Sequence, residues 1–407
     1  MADTHEDEFR NALTALDAAD PRFATDVVEL ALRLAREAEA SDVHLLPTPD
    51  GLEMRWRVDG VLRPVAMLPA RLGPNVVARL KVMSDLLTYR TEVPQEGRIR
   101  GEAGEVEVRV STFPSLHGEK AVVRMFAAAG RYNTLDDLGL PAEILAAMRR
   151  LLAETSGAIL LAGPAGSGKT TTLYACLREL VGHGGGGRSL ATLEDPVEVA
   201  VAGVAQSQVN EAAGFTLELG LRSLLRQDPE VIAVGEVRDR TTAEVAFQAS
   251  LTGHLVLTTF HAGNAAGVLG RLADMGIEPY LLRSGVLAVL CQRLARRLCD
   301  CAISCEHPAA RLGLPVSQCR EPVGCPLCGG TGYRGRLMLA ELLLPDMGDV
   351  GASILRREDV AKIEAAALAG GMVGRWRRAI DAVEEGITSP AEIRRVLGVG
   401  EPVLEPS

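Results

Sequence analysis

Aromatic side chains are scarce: Trp, Tyr and Phe together make up 3% of the 407 residues. Few ring platforms are left on which unpaired bases stack, which weighs against a motor that tracks nucleic acid. Basic charge is in short supply as well, with 43 Lys and Arg against 53 Asp and Glu and a net charge of −10. That sign is wrong for a protein whose main work is coating DNA or RNA. The chain also lacks a basic-then-apolar leader, starting instead Met1-Ala-Asp-Thr-His-Glu-Asp-Glu8, so export is not expected. Nor is there a long apolar run. The longest stretch free of Lys, Arg, Asp and Glu lies between Glu244 and Arg271, and polar residues such as Gln248, Thr252, His254 and Asn264 break it, which disqualifies it as a membrane span. A soluble cytoplasmic protein is the expectation.

What the chain does hold is enough apolar sequence, 47%, to bury a core, and enough length for two or three domains of ordinary size. Of its eight cysteines, six crowd between Cys299 and Cys328. An extracellular disulfide framework would spread them; in a reducing compartment such crowding points to a metal.

The first 24 residues read as a tail. Val27, Ala31, Leu34 and Ala38 then recur at helical spacing, followed by short strands at Ser41–Pro47 and Met54–Gly60, the latter ending in an Asp59-Gly60 turn. A second helix is marked by Val76, Leu80, Met83 and Leu87. Val106, Val108 and Val110 alternate with polar residues, placing Arg109 on the wetter face of a strand, and another strand runs from Ala121 to Phe126. Residues 25–126 thus read as a small α+β domain and 127–140 as a linker. From 141 onward, apolar runs at Ile159–Leu161, Leu190–Leu193, Val231–Val234 and Leu255–Thr259 alternate with helical segments, the mark of an α/β domain with a mainly parallel sheet. The run Gly182–Gly187 reads as a loop.

Gly163-Pro164-Ala165-Gly166-Ser167-Gly168-Lys169-Thr170 satisfies G-x-x-x-x-G-K-[ST] at every required position, with an apolar strand before it and a helix opening at Thr171 after it. Glycines let backbone N–H groups curl around phosphate oxygens, and the helix N-terminus adds partial positive charge at the same place. Lys169 supplies charge for the outer phosphates and Thr170 a hydroxyl for Mg²⁺. Downstream, Glu194, Asp195 and Glu198 follow one predicted strand and Glu236, Arg238 and Asp239 another. The carboxyl ends of strands form the ligand crevice of such sheets. His254 and His261 bracket a further apolar run, and spacing alone assigns them no role.

Taken in order, these segments resemble the secretion and type IV pilus assembly ATPases, specifically the export and extension branch of hexameric traffic motors. Ala40–Pro47, Arg57–Leu62 and Pro94–Arg98 are similar to that family's N-terminal subdomain; Gly163–Thr172, Thr192–Glu198, Leu225–Asp239 and Thr252–His261 are similar to its Walker A, aspartate-box, Walker B and histidine-box segments. The resemblance implies an α/β fold, with a RecA-like P-loop ATPase domain over 141–407, a smaller PAS-like α+β domain, and a C-terminal zinc-binding insertion and helical region. It implies Glu194 as the carboxylate that polarises the attacking water, Glu236 as the acid acting on Mg²⁺ through its water shell, and His261, with His254, as a sensor of the terminal phosphate. Arg109 and Arg124 match arginines that the small domain sends toward the nucleotide. The implied partners are further copies of the chain, six in a ring, and an inner-membrane platform protein, with the motor peripheral to the inner face of the plasma membrane. The extra N-terminal platform-docking domain of many export members is expected to be missing here.

Cys325-Pro-Leu-Cys328 with the glycines that follow reads as half of a zinc knuckle. Export members carry a second C-x-x-C about thirty residues upstream; here Cys299-Asp-Cys301 stands there, with Cys305 as substitute. Zn²⁺ at such a site is structural. Two other functions remain open: a nucleic-acid motor built on the same phosphate loop, and a catalytically silent scaffold. Acidic charge and few aromatics argue against the first, intact Lys169, Glu194 and Glu236 against the second.

Overall fold

A computed structural model describes residues 5–99, 108–125, 132–182 and 187–400. The expected linker residues 127–131, the loop residues 183–186 and the strand residues Val106, Glu107 and Phe126 lie outside the described residues. The chain divides into two compact units, residues 1–129 with 324–331, and 130–323 with 332–407.

In the first unit, α1 (His5–Ala15) and α2 (Phe23–Glu37) precede β1 (Asp42–Thr48), β2 (Gly51–Val58), β3 (Val61–Pro69), α3 (Gly73–Met83), β4 (Gln95–Ile99), β5 (Val108–Ser115) and β6 (Gly118–Met125). The strands form one antiparallel sheet in the order β3-β2-β1-β6-β5-β4. Asp59 and Gly60 both take positive φ, 48° and 77°, the two-residue turn whose twist suits a hairpin; it joins β2 to β3. The residues read as a tail include α1, whose Phe9 is fully buried and meets Trp56 edge to face at 5.8 Å. Only one apolar residue of α1 is buried, so its sequence carries little periodic signal, and its docking depends on a ring 47 positions away.

The second unit runs α4 (Ala142–Leu152), β7 (Gly157–Ala162), α5 (Lys169–Gly182), β8 (Leu190–Glu194), β9 (Ala205–Gln208), α6 (Leu217–Leu224), β10 (Val231–Val234), α7 (Arg240–Leu251), β11 (Leu255–Phe260), α8 (Ala265–Asp274), α9 (Pro279–Gly285), β12 (Val286–Leu298), β13 (Ile303–Cys305), β14 (Cys319–Glu321), β15 (Tyr333–Leu343), α10 (Val350–Leu355), α11 (Val360–Ala369), α12 (Arg375–Glu384) and α13 (Pro390–Leu397). Its main sheet has the order β15-β12-β7-β11-β10-β8-β9. Every pairing in it is parallel except β12 with β15. Burial on both faces explains the unbroken apolar strands. Ala158, Leu160 and Ala162 of β7 enter one core with α7 and α8, while Ile159 and Leu161 enter another with α4 and α5. Leu135, Leu138 and Leu140, within the stretch read as linker, pack into that second core.

Candidate nucleotide site and cysteine cluster

Parallel pairing decides what comes together. Because β7, β8, β10 and β11 run the same way, the residues just past their last positions share one edge of the sheet: Gly163 after β7, Glu194 closing β8, Gly235 and Glu236 after β10, His261 after β11. This is the crevice where open α/β sheets bind ligands.

The loop at that edge has the shape its sequence predicts. Gly163, Gly166 and Gly168 take φ of 148°, 73° and 89°, values that L side chains rarely adopt. A Cβ on Gly163 would sit 2.4 Å from both the Gln292 carbonyl and Ser167 Oγ, so the tight turn has no room for one. Lys169 begins α5 and is 8% exposed. Its ammonium donates to the carbonyls of Gly163 and Pro164, both at 3.0 Å. Burial holds its pKa below the ordinary lysine value, opposed by the charge of Glu236. The Ser167 hydroxyl is buried with no protein partner. Turn, buried ammonium and orphaned hydroxyl together fit a phosphate group.

Gln292 braces this loop and has no signal in any motif. Fully buried in β12, it donates from Nε2 to Ser167 O at 2.8 Å and accepts from Thr172 Oγ1 at 3.0 Å. Gln292→Leu, of similar volume, is expected to cost about 1–3 kcal/mol by leaving those buried groups unpaired. Chemical denaturation of the variant checks this; an unshifted midpoint would mean the loop stands without the brace.

Around the cradle, Glu236 accepts from Arg238 Nε at 3.0 Å and lies 3.5 Å from His261 Nε2. Arg238 also reaches Asp195 at 3.7 Å. Burial, and next the Lys169 charge, hold the His261 imidazole below its ordinary pKa. Glu194 is 3% exposed and accepts from Tyr174, Thr192 and Gln206. Thr170 and Thr171 open α5 beside Lys169.

His254 must be taken out of this group. It precedes β11 at the opposite edge of the sheet, where its carbonyl accepts from Gly157 N at 3.1 Å and its Nδ1 donates to Ala249 O at 3.0 Å. Six strand residues at about 3.3 Å each separate it from His261. It caps the end of α7 instead.

The segment after His261 is tied to the C-terminal helices through Glu341, a 1%-exposed carboxylate of β15. It accepts from Ala265 N at 2.7 Å and from Arg375 N at 3.0 Å, while Asn264 and Arg375 both donate to Glu364. Nothing in the sequence marks this hub, because its members lie up to 111 positions apart.

In the first unit, Arg109 of β5 stands in register with Arg124 on one side and Arg98 on the other. Like charges directly opposite one another oppose pairing. Asp42, opposite Arg124, offsets part of this: it accepts from Arg124 Nε at 3.1 Å and lies 3.3 Å from Arg57. Arg98 joins the two arginines singled out from sequence, a membership only the strand register reveals.

Cys299, Cys301, Cys325 and Cys328 bring their thiols within 4.8 Å of one another. Tetrahedral Zn²⁺ with Zn–S bonds of about 2.3 Å needs sulfurs about 3.8 Å apart, and the Cys325 and Cys328 sulfurs are 3.7 Å apart. The donor set therefore fits zinc. Cys305, the substitute ligand, sits elsewhere, paired across β13 and β14 with Cys319, whose thiol donates to its carbonyl at 3.7 Å.

The family model described as "Type II/IV secretion system protein" matches residues 17–395. The type II secretion system ATPase E of Vibrio cholerae is 42% identical over 390 residues, covering 94% of this chain and 76% of that protein. The type IV pilus assembly ATPase PilB of Thermus thermophilus is 35% identical over 399 residues, covering 95% and 44%. Among solved structures, the pilus retraction motor PilT with bound ADP matches with a TM-score of 0.61 at 22% identity, over 91% of this chain and 96% of that one, a likeness of fold. With a family model spanning nearly its whole length, the chain belongs to the type II/IV secretion system protein family.

Proposed function

We propose that this protein is a Mg²⁺-dependent ATPase that drives assembly of pilin-like subunits, for type II secretion or for a type IV pilus. One observation carries the reading: the parallel sheet gathers a phosphate cradle, a buried lysine, two glutamates and a histidine at a single edge. In this reading the backbone N–H groups of Gly163–Thr171 and the Lys169 ammonium bind the triphosphate. Thr170 and, through water, Glu236 would hold Mg²⁺, which would supply charge that offsets the phosphate oxygens. Glu194 accepts a hydrogen bond from the attacking water, and His261 senses the terminal phosphate through Glu236. Arg109 and Arg124 contribute positive charge to the nucleotide, so that ATP favours closure of the small domain and phosphate loss releases it. Zn²⁺ at the four cysteines is structural. The working form is a homohexamer at the cytoplasmic face of the inner membrane, acting on a platform protein; among the described residues no helix is long and apolar enough to cross a membrane.

Phosphate release from ATP by the purified protein tests this. Release should require Mg²⁺, and Lys169→Ala should weaken nucleotide binding by 10-fold or more, about 1.4 kcal/mol per factor of ten. Equal binding and equal release by wild type and Lys169→Ala would remove the cradle from the mechanism.

A further inference from the structure

Glu194 is the most tightly held side chain in the site. An ionised carboxylate offers about four acceptor positions on its two oxygens. Three are taken: Oε1 accepts from Thr192 Oγ1 at 2.6 Å and from Gln206 Nε2 at 3.2 Å, and Oε2 accepts from the Tyr174 hydroxyl at 2.5 Å. One position is left, and it lies on Oε2, the oxygen that Tyr174 fixes.

The direction of the Tyr174 bond follows by elimination. A phenol has one proton. The other partners of this hydroxyl are the backbone N–H groups of Glu198 at 3.0 Å and Val199 at 3.3 Å, which can only donate. The proton therefore goes to Glu194. Burial, together with that bond, raises the phenol above its ordinary pKa, so it stays a donor at neutral pH. The three donors belong to three elements, α5, β8 and the β9 strand. Tyr174 follows Thr170 by four positions on α5, so both project from one face of the helix that carries the cradle.

We infer that Tyr174, with Thr192 and Gln206, is a positioning device that aims the last free acceptor position of Glu194 at the attacking water. The inference rests on the proposed role of Glu194. Through Glu198 and Val199 the same hydroxyl ties the segment after β8 to the phosphate-loop helix, so a shift of α5 is passed to the carboxylate.

Tyr174→Phe removes the donor and keeps the ring. Its kcat for ATP is expected to fall roughly 10- to 100-fold, less than the about 10²- to 10⁴-fold that the positioned base itself contributes, with KM and the affinity for a non-hydrolysable analogue nearly unchanged. In a Glu194→Gln background, measured in single turnover, the same substitution should add no further loss, because its effect runs through the carboxylate. A tyrosine with only a packing role lowers both backgrounds by the same factor, and that result overturns the inference. Should Tyr174→Phe fail to fold, Thr192→Val removes the second short bond at nearly constant volume and is held to the same cycle: a loss that disappears with Glu194→Gln supports the device, an additive loss overturns it. Unchanged turnover in Glu194→Gln alone would overturn the role of Glu194 and this inference with it. Abolished turnover there, beside an unchanged Tyr174→Phe, would overturn the inference only.

Discussion

Glu194→Gln should lower the rate of ATP hydrolysis by about 10²- to 10⁴-fold, the usual worth of a positioned general base, while ATP stays bound. Glutamine fills the same volume but carries no charge, and it brings an NH₂ group where the carboxylate offered only acceptors. Its amide oxygen can still serve Thr192 and Gln206. The NH₂ then faces Tyr174, whose hydroxyl already takes two N–H donors, so the water-facing position becomes a donor and loses its affinity for a proton. The cradle itself is untouched, since Lys169 and the loop carbonyls make no bond to Glu194. Fluorescent-nucleotide titration beside single-turnover hydrolysis separates the two effects. Turnover within threefold of wild type would shift the water-activating role away from this carboxylate, with Glu236 and Asp195 the other acids at the strand ends.

Removing metal should affect the cysteine segment rather than the nucleotide site. Treatment with a strong chelator, or Cys325→Ser with Cys328→Ser, is expected to release about one equivalent of Zn²⁺ and open residues 299–328 to proteases. The middle of the segment is also held by the packing of Leu314, Val316 and Cys319 against α12 and α13, so the opening should concentrate at the two cysteine-bearing ends. The segment's own secondary structure is a three-residue strand pair and single helical turns, whereas metal binding supplies about 10–16 kcal/mol to small zinc folds. ATP affinity should change less than about twofold, because Gln292, which braces the phosphate loop, stands on β12 seven positions before Cys299. Metal analysis, limited proteolysis and nucleotide titration on one sample check all three. A segment that stays protected after complete metal loss would mean the thiols pack without it.

The phosphate loop was legible in the sequence because its chemistry is local: glycines, lysine and threonine act within eight consecutive positions, between a strand and a helix that announce themselves by apolar pattern. The alternation of strands and helices, and with it the fold class, was legible for the same reason. What escaped the reading depends on distant pairing. Gln292 touches residues 120 and 125 positions earlier, and nothing in Cys291-Gln-Arg293 marks it as a brace. Tyr174 looked like one more helix residue until β8 arrived beside it. β3 and the long β12–β15 pair carried no simple alternation, since β12 is covered on both faces over most of its length. His254 misled because a six-residue strand places its two flanking histidines at opposite edges, a distance that a sequence interval conceals. Arg98, Arg109 and Arg124 acquire their common row only through strand register.

The strand β12 is one unbroken element from Val286 to Leu298, with Gln292 at its middle and Cys299 just past its end. Its pairing with β15 slips once, between Arg296 and Leu298. A ladder of regular hydrogen bonds transmits displacement; a slipped register interrupts it. The bulge therefore separates the regular ladder around Gln292 from the turn that leads to Cys299. Fraying that begins among the thiols is expected to stop at this slip, so that backbone amides of Gln292 to Ala295 stay protected from hydrogen exchange while the cysteine ribbon loosens.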